Sequence, residues 1–147
     1  MDDNEINYAE VAEAFFEQND WNFEVKELPD GDTMFSLPFS AKNLPGINLK
    51  VIIAPNDTCK IMTYLANNIP DGKRAAMLEV LNKLNMKYRY LKLILDSDND
   101  VVASYDFSFY GDEEAAVEAL EEIIYLVKSS MDESVPKIMK LIWADDD

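Results

Sequence analysis

The sequence predicts an α+β fold: an antiparallel sheet of five to six strands with helices packed mainly on one face. Three observations predict it. Tyr8, Val11, Ala12, Phe15 and Phe16 recur at helical spacing, whereas Ile47, Leu49, Val51 and Ile53 alternate at the period of two that a half-buried strand requires. Strand patterns follow one another across short turn signals, which argues for antiparallel pairing. Helical patterns stand before, between and after the strands with no internal repeat, low-complexity tract or linker, so one domain over residues 1–147 is expected.

The first helix carries a broad apolar face and ends near Asn19. Trp21, Phe23 and Val25 then alternate with Asn22, Glu24 and Lys26 as a first strand, and Pro29-Asp30-Gly31-Asp32 turns the chain. The return strand sets Phe35, Leu37 and Phe39 on one face before Asn43-Leu44-Pro45-Gly46 breaks it. The strand of Ile47 to Ile53 follows. After Pro55-Asn56-Asp57 comes a strand with Cys59, Ile61, Thr63 and Leu65 on one side.

Ile69-Pro70-Asp71-Gly72 leads into a helix with Met77, Leu78, Leu81 and Leu84 on one stripe. Asp71 suits its N-cap, and Asn85 suits a left-handed ending. A hairpin follows, with strands at Tyr90 to Leu95 and at Val101, Ala103, Tyr105, Phe107 and Phe109, joined through Asp96-Ser97-Asp98-Asn99-Asp100. Gly111-Asp112-Glu113-Glu114 opens a long acidic helix. Asp112 caps it, glutamates in the first turn suit its dipole, and Val117, Leu120, Ile124 and Val127 form its buried stripe. A separate last helix is expected from near Asp132, with Pro136 in its first turn and Val135, Ile138, Met139 and Ile142 inward; Asp145 to Asp147 form a frayed tail.

Charge narrows the partners. There are 29 acidic residues against 13 basic ones, a net charge of −16, so a polyanion is repelled and nucleic acid is not expected as a partner. Lys83, Lys87, Arg89 and Lys92 form only a loose basic segment. Apolar runs such as Val51 to Ala54 and Ile123 to Val127 fall far short of the roughly 20 residues a bilayer requires, so no membrane association is expected. The acidic start Met1 to Glu5 is unlike a secretory signal, and a soluble cytoplasmic protein is the expectation. Cys59 is the single cysteine and has no intramolecular disulfide partner; its strand position reads as a small buried hydrophobe.

Chemistry-bearing motifs are missing. The sequence has no histidine, which excludes histidine-based triads, Cys-His nucleophiles and ordinary zinc or iron sites. The four glycines, at 31, 46, 72 and 111, stand singly at turns or helix starts and form no phosphate loop. Glu113 with Glu114, and Glu121 with Glu122, read as solvated pairs on a helix. The string Asp96 to Asp100 mimics the first half of a calcium loop, but Val101 stands where that loop needs glycine and Phe107 where it needs a bidentate glutamate; it reads as a hairpin turn. No catalytic, metal-binding or cofactor-binding residue is expected, and no cofactor.

The sheet offers more. Met34, Ile52, Met62, Tyr64, Tyr90, Ile94 and Val102 occupy strand positions opposite the main core stripe, where a solvated antiparallel sheet normally shows polar residues. Something should cover them: the last helix, a second subunit, or an apolar client segment.

Leu65 to Pro70, the segment Leu78 to Asn85 that ends in Leu81-Asn82-x-Leu84-Asn85, the hairpin from Lys92-Leu93-Ile94-Leu95-Asp96 to Asp106-Phe107, and Met131-Asp132-x-x-Val135-Pro136-Lys137-Ile138 together resemble the YbjN family. They cover about half the chain. The resemblance implies a fold similar to the chaperones of bacterial type III secretion, a small bacterial protein with a regulatory role, a homodimer, and no established catalytic mechanism. It carries no catalytic residue over to this sequence. Two function classes follow: a non-enzymatic protein-binding or regulatory module, or a small-ligand sensor or enzyme with a pocket between helices and sheet. The homodimer seam is expected at the second sheet face or at the basic segment.

Overall fold

Asn7 starts the first helix, because its side-chain oxygen accepts a hydrogen bond from the Glu10 N–H at 3.2 Å. In the computed structural model, which describes residues 5–41 and 44–144, helix α1 spans Tyr8–Gln18 and buries Tyr8, Ala12, Phe15 and Phe16. The chain leaves it through Asp20 at φ 55°. Trp21 then stacks on Phe16 at 5.6 Å, and Phe16 meets Phe35 of the sheet edge-on at 5.3 Å.

Strands β1 (Glu24–Glu27), β2 (Thr33–Ala41), β3 (Leu44–Ile53) and β4 (Thr58–Ala66) precede helix α2 (Arg74–Lys87), which a single 3₁₀ turn at Asp71–Lys73 introduces. Strands β5 (Lys92–Leu95) and β6 (Val101–Ser108) then lead to helix α3 (Glu113–Ile142). All pairings are antiparallel, in one six-stranded sheet of order β1-β2-β3-β4-β6-β5.

Alternation sorts the sheet. Phe35, Leu37, Leu49, Val51, Ile53, Cys59, Ile61, Leu93, Leu95, Val101 and Ala103 share one buried cluster with Phe16, Met77, Leu81, Leu120, Met131 and Ile138 from the helices. Among the described strand residues, opposite parity enters that cluster at Ala66 alone, past the register shift that ends β4. The three helices among the described residues therefore lie on one face of the sheet.

Several local expectations are corrected. Trp21 and Phe23 precede β1 and pack partly against the core, while Val25, on the core parity, is 46% exposed because this short edge strand runs beyond the helical layer. β3 begins at Leu44, so Leu44, Pro45 and Gly46 belong to the strand; Gly46 takes φ 69°, and Asn43 lies outside the described residues. Asp71 does not cap α2: its carboxylate accepts from the Asn99 side chain at 2.8 Å. Leu78 is exposed, unlike Met77, Leu81 and Leu84.

Asn85 does not end α2 either. It sits inside the helix and holds both backbone polar groups of Leu93, accepting from its N–H at 2.7 Å and donating to its carbonyl at 3.0 Å. The expected last two helices are one. Asp112 accepts from the Ala115 N–H at 2.9 Å, as a cap should, and α3 then runs unbroken past Asp132 and Pro136. Tyr88 explains the continuity, since its hydroxyl lies 2.8 Å from the Ser134 hydroxyl and donates to the Ser130 carbonyl, while Lys87 pairs with Glu133. Lys73 closes the other end, donating to the carbonyls of Leu141, Ile142 and Ala144. The tail Asp145 to Asp147 lies outside the described residues.

Candidate interaction surface

With the helices on one side, the other sheet face is open, and the register places its residues. One row runs Lys26, Met34, Ile52, Lys60, Asp106 across β1, β2, β3, β4 and β6. The next runs Glu24, Ser36, Lys50, Met62, Ser104, Lys92 and reaches β5. A third joins Tyr64, Val102 and Ile94. Adjacent side chains within a row stand about 5 Å apart, so they act as a surface rather than as separate residues.

Six of the seven residues expected on this face are there. Met34, Ile52, Met62 and Val102 are half-buried, Tyr64 is 43% exposed and Ile94 45% exposed. Tyr90 is not among them. It precedes β5, and its ring lies 5.9 Å from that of Tyr105, whose pairing partner Ile61 belongs to the core side. The irregular segment between α2 and β5 breaks the alternation that the sequence reading extended to Tyr90.

The apolar residues alternate with cations. Among the described residues, the strand positions of this face hold Lys26, Lys50, Lys60 and Lys92 against Glu24 and Asp106, a net-positive face on a chain of −16. Lys50 lies 5.7 Å over the Tyr64 ring, and Lys60 reaches Asp106 at 3.9 Å. Ser104 is buried, and its hydroxyl has no hydrogen-bond partner. Parity could have found these lysines, because each stands two residues from an apolar member of the face or opposite one.

A concavity of about 690 Å³ indents the face where the turns at Leu28 to Asp32 and Ala54 to Thr58 end the sheet; Ile52, Lys60, Met62 and Asp106 line it. At its rim the Asp32 carboxyl is held above the usual carboxylate range by loss of solvent and by neighbouring Asp30. The β5 edge of the sheet is closed to an added strand at Leu93, whose outward N–H and carbonyl Asn85 already occupies.

Elsewhere the molecule offers less. Phe16, Phe35, Ile61, Met77, Leu120 and Met131 pack between helices and sheet, where a cavity of about 210 Å³ remains among Trp21, Leu37, Leu49, Ile124 and Lys128. A groove of about 680 Å³ beside α1 is lined by Glu5, Glu10, Glu13, Glu27 and Asp57 without a basic residue. Cys59 faces the core, where burial, aided by the Asp106 charge, pushes its thiol far up and makes it inert. The Asp96 side chain accepts from the N–H groups of Asp98 and Asp100 and so folds the β5–β6 hairpin turn, with Asn99 at φ 62°. Among the described residues, no group of three or more His, Cys, Asp or Glu is placed to hold a metal ion, and no helix is long and apolar enough to cross a membrane.

Comparison with known proteins agrees with the architecture. The sequence model of the YbjN family, described as "Putative bacterial sensory transduction regulator", matches residues 8–139. Among solved structures, YbjN from E. coli, described as "a putative transcription regulator", superposes with a TM-score of 0.62 at 13% identity, covering 90% of each chain. At that identity the likeness concerns the fold. No curated protein matches the chain in sequence.

Proposed function

Because the chain belongs to the YbjN family, we propose that it is a non-enzymatic regulatory module that acts by binding polypeptide on its open sheet face, in the manner of a type III secretion chaperone-like fold. The carrying observation is the asymmetry of the sheet. Every helix lies on one side, yet the other side keeps Met34, Ile52, Met62, Tyr64, Ile94 and Val102 where a solvated face would be polar. Methionine suits such a surface, since its flexible thioether adapts to different contacts. The cavity of about 210 Å³ between the sheet and α3 is smaller than the roughly 300–1,000 Å³ of a usual ligand pocket, which speaks against the small-ligand alternative, and without histidine the chain lacks the commonest general acid–base.

A homodimer belongs to the same reading, with its seam away from this face, because face-to-face pairing would bring two net-positive surfaces together. The cytoplasm suits a chain whose single cysteine can form no internal disulfide. Photo-crosslinking tests the surface. A crosslinker at position 62 should yield adducts of polypeptide mass from cells, whereas one at position 118 on exposed α3 should not. Adducts at 118 alone, or at neither position, would refute it.

A further inference from the structure

We infer that the occupant of the sheet face is an acidic amphipathic polypeptide segment, a partner whose carboxylates meet the lysines while its apolar side chains seat on the methionines and isoleucines. This rests on the reading of the face as a polypeptide-binding surface and names the chemistry of its partner. The charge distribution carries it. The chain has more than twice as many acidic as basic residues, yet this face reverses the balance, with Lys26, Lys50, Lys60 and Lys92 against Glu24 and Asp106. Indifferent solvation would have given it the acidic character of the rest of the surface.

The arrangement also fits. Lys50 and Lys92 stand in the same row as Met62 and supply the cations, whereas Lys60, beside Ile52, is paired with Asp106 in a concavity that Asp32 also lines. A segment with apolar residues on one stripe and Glu or Asp beside it can engage anchors and cations together. Long-range repulsion does not forbid this. The helical layer lies about 10 Å behind the sheet, roughly one Debye length at physiological salt, so a short segment senses mainly the lysines in front of it.

Other occupants fit less well. A second copy offers acidic character on exposed α3, at Glu118, Glu121 and Glu122, but α3 lies on the opposite side of the molecule. Sheet-to-helix contact would then run head to tail, building a ring or filament instead of a two-fold pair. A nucleic acid needs stacking platforms, and among the described residues Tyr64 is the face's one aromatic strand residue.

The test uses synthetic helix-forming peptides of about 18 residues, the length of five turns. They share one Leu/Met stripe and carry Glu, Lys or Gln on the other face, and the purified full chain is titrated with each. The Glu peptide should bind best and should lose about tenfold in affinity when Lys50→Glu and Lys92→Glu are combined, and the Lys peptide should gain on that double variant. Raising the salt should weaken the Glu peptide and spare the Gln peptide. Equal binding of all three peptides would overturn the acidic partner while the polypeptide-binding reading stands. Preference for the Lys peptide would overturn it too, as would tighter binding of an oligonucleotide of matched charge, or head-to-tail oligomers dispersed by Lys50→Glu. No peptide binding together with no adduct at position 62 would remove both the partner and the surface.

Discussion

Asn85→Ala should destabilise the fold by far more than an ordinary helix-surface substitution. Asn85 satisfies the outward N–H and carbonyl of Leu93, at 2.7 and 3.0 Å, on the last strand of the sheet. Alanine leaves a donor and an acceptor unpartnered beneath α2. Each such loss costs about 1–3 kcal/mol, and the half-buried site admits some water, so the combined cost is about 2–4 kcal/mol. Alanine's better helix propensity returns only about 0.5 kcal/mol. For a chain of 147 residues this lowers Tm by roughly 5–15 °C. In urea the midpoint should fall by about 1–2 M with an unchanged slope. Asn82→Ala, exposed on the same helix, controls for propensity and should change stability by less than about 0.5 kcal/mol. An Asn85→Ala midpoint equal to that of Asn82→Ala would refute the bridge between α2 and β5.

Alkaline stability should expose Cys59. Its pKa is raised in the folded state by burial, so above about pH 9 the unfolded chain releases a proton that the native state keeps, and stability falls by about 1.4 kcal/mol per pH unit. Urea melts of Cys59→Ser should show a shallower decline between pH 9 and 10.5; parallel declines would contradict the burial. On the acid side, relief of the −16 self-repulsion, together with the raised Asp32 carboxyl, makes stability rise as pH first drops below neutrality. A Tm that declines steadily from pH 8 to pH 5 would oppose this. Millimolar calcium should leave Tm unchanged, since Asp96 is engaged with the backbone of its own turn; a saturable upward shift would show a site there. Sedimentation should find a dimer that survives Ile94→Asp, and conversion to monomer would move the seam onto the sheet face.

The strands were legible wherever one face is buried and the other is not. Ile47 to Ile53 and Cys59 to Leu65 show a clean alternation that survives in the fold, because a one-residue slip would expose the whole core set. Local rules failed where a distant partner decides. Asn85 has the character of a helix cap, but Leu93 gives it a better use. Asp132 and Pro136 resemble a helix start, yet Tyr88 holds Ser130 and Ser134 inside one continuous helix. Val25 has core parity, but the helical layer does not reach its strand. The open face was readable from its apolar residues; its lysines were hidden by the net charge, which averages a net-positive face into an acidic whole.

An uncovered sheet face that receives a polypeptide should reveal itself in hydroxyl-radical footprinting of the methionines, with and without the acidic amphipathic peptide. In the free chain Met86, 81% exposed, should oxidise fastest, half-buried Met34 and Met62 at intermediate rates, and buried Met77 and Met131 slowest. Added peptide should slow Met34 and Met62 and leave Met86 unchanged. Met34 and Met62 as protected as Met77 in the free chain, or a peptide that shields Met86 alone, would contradict the account.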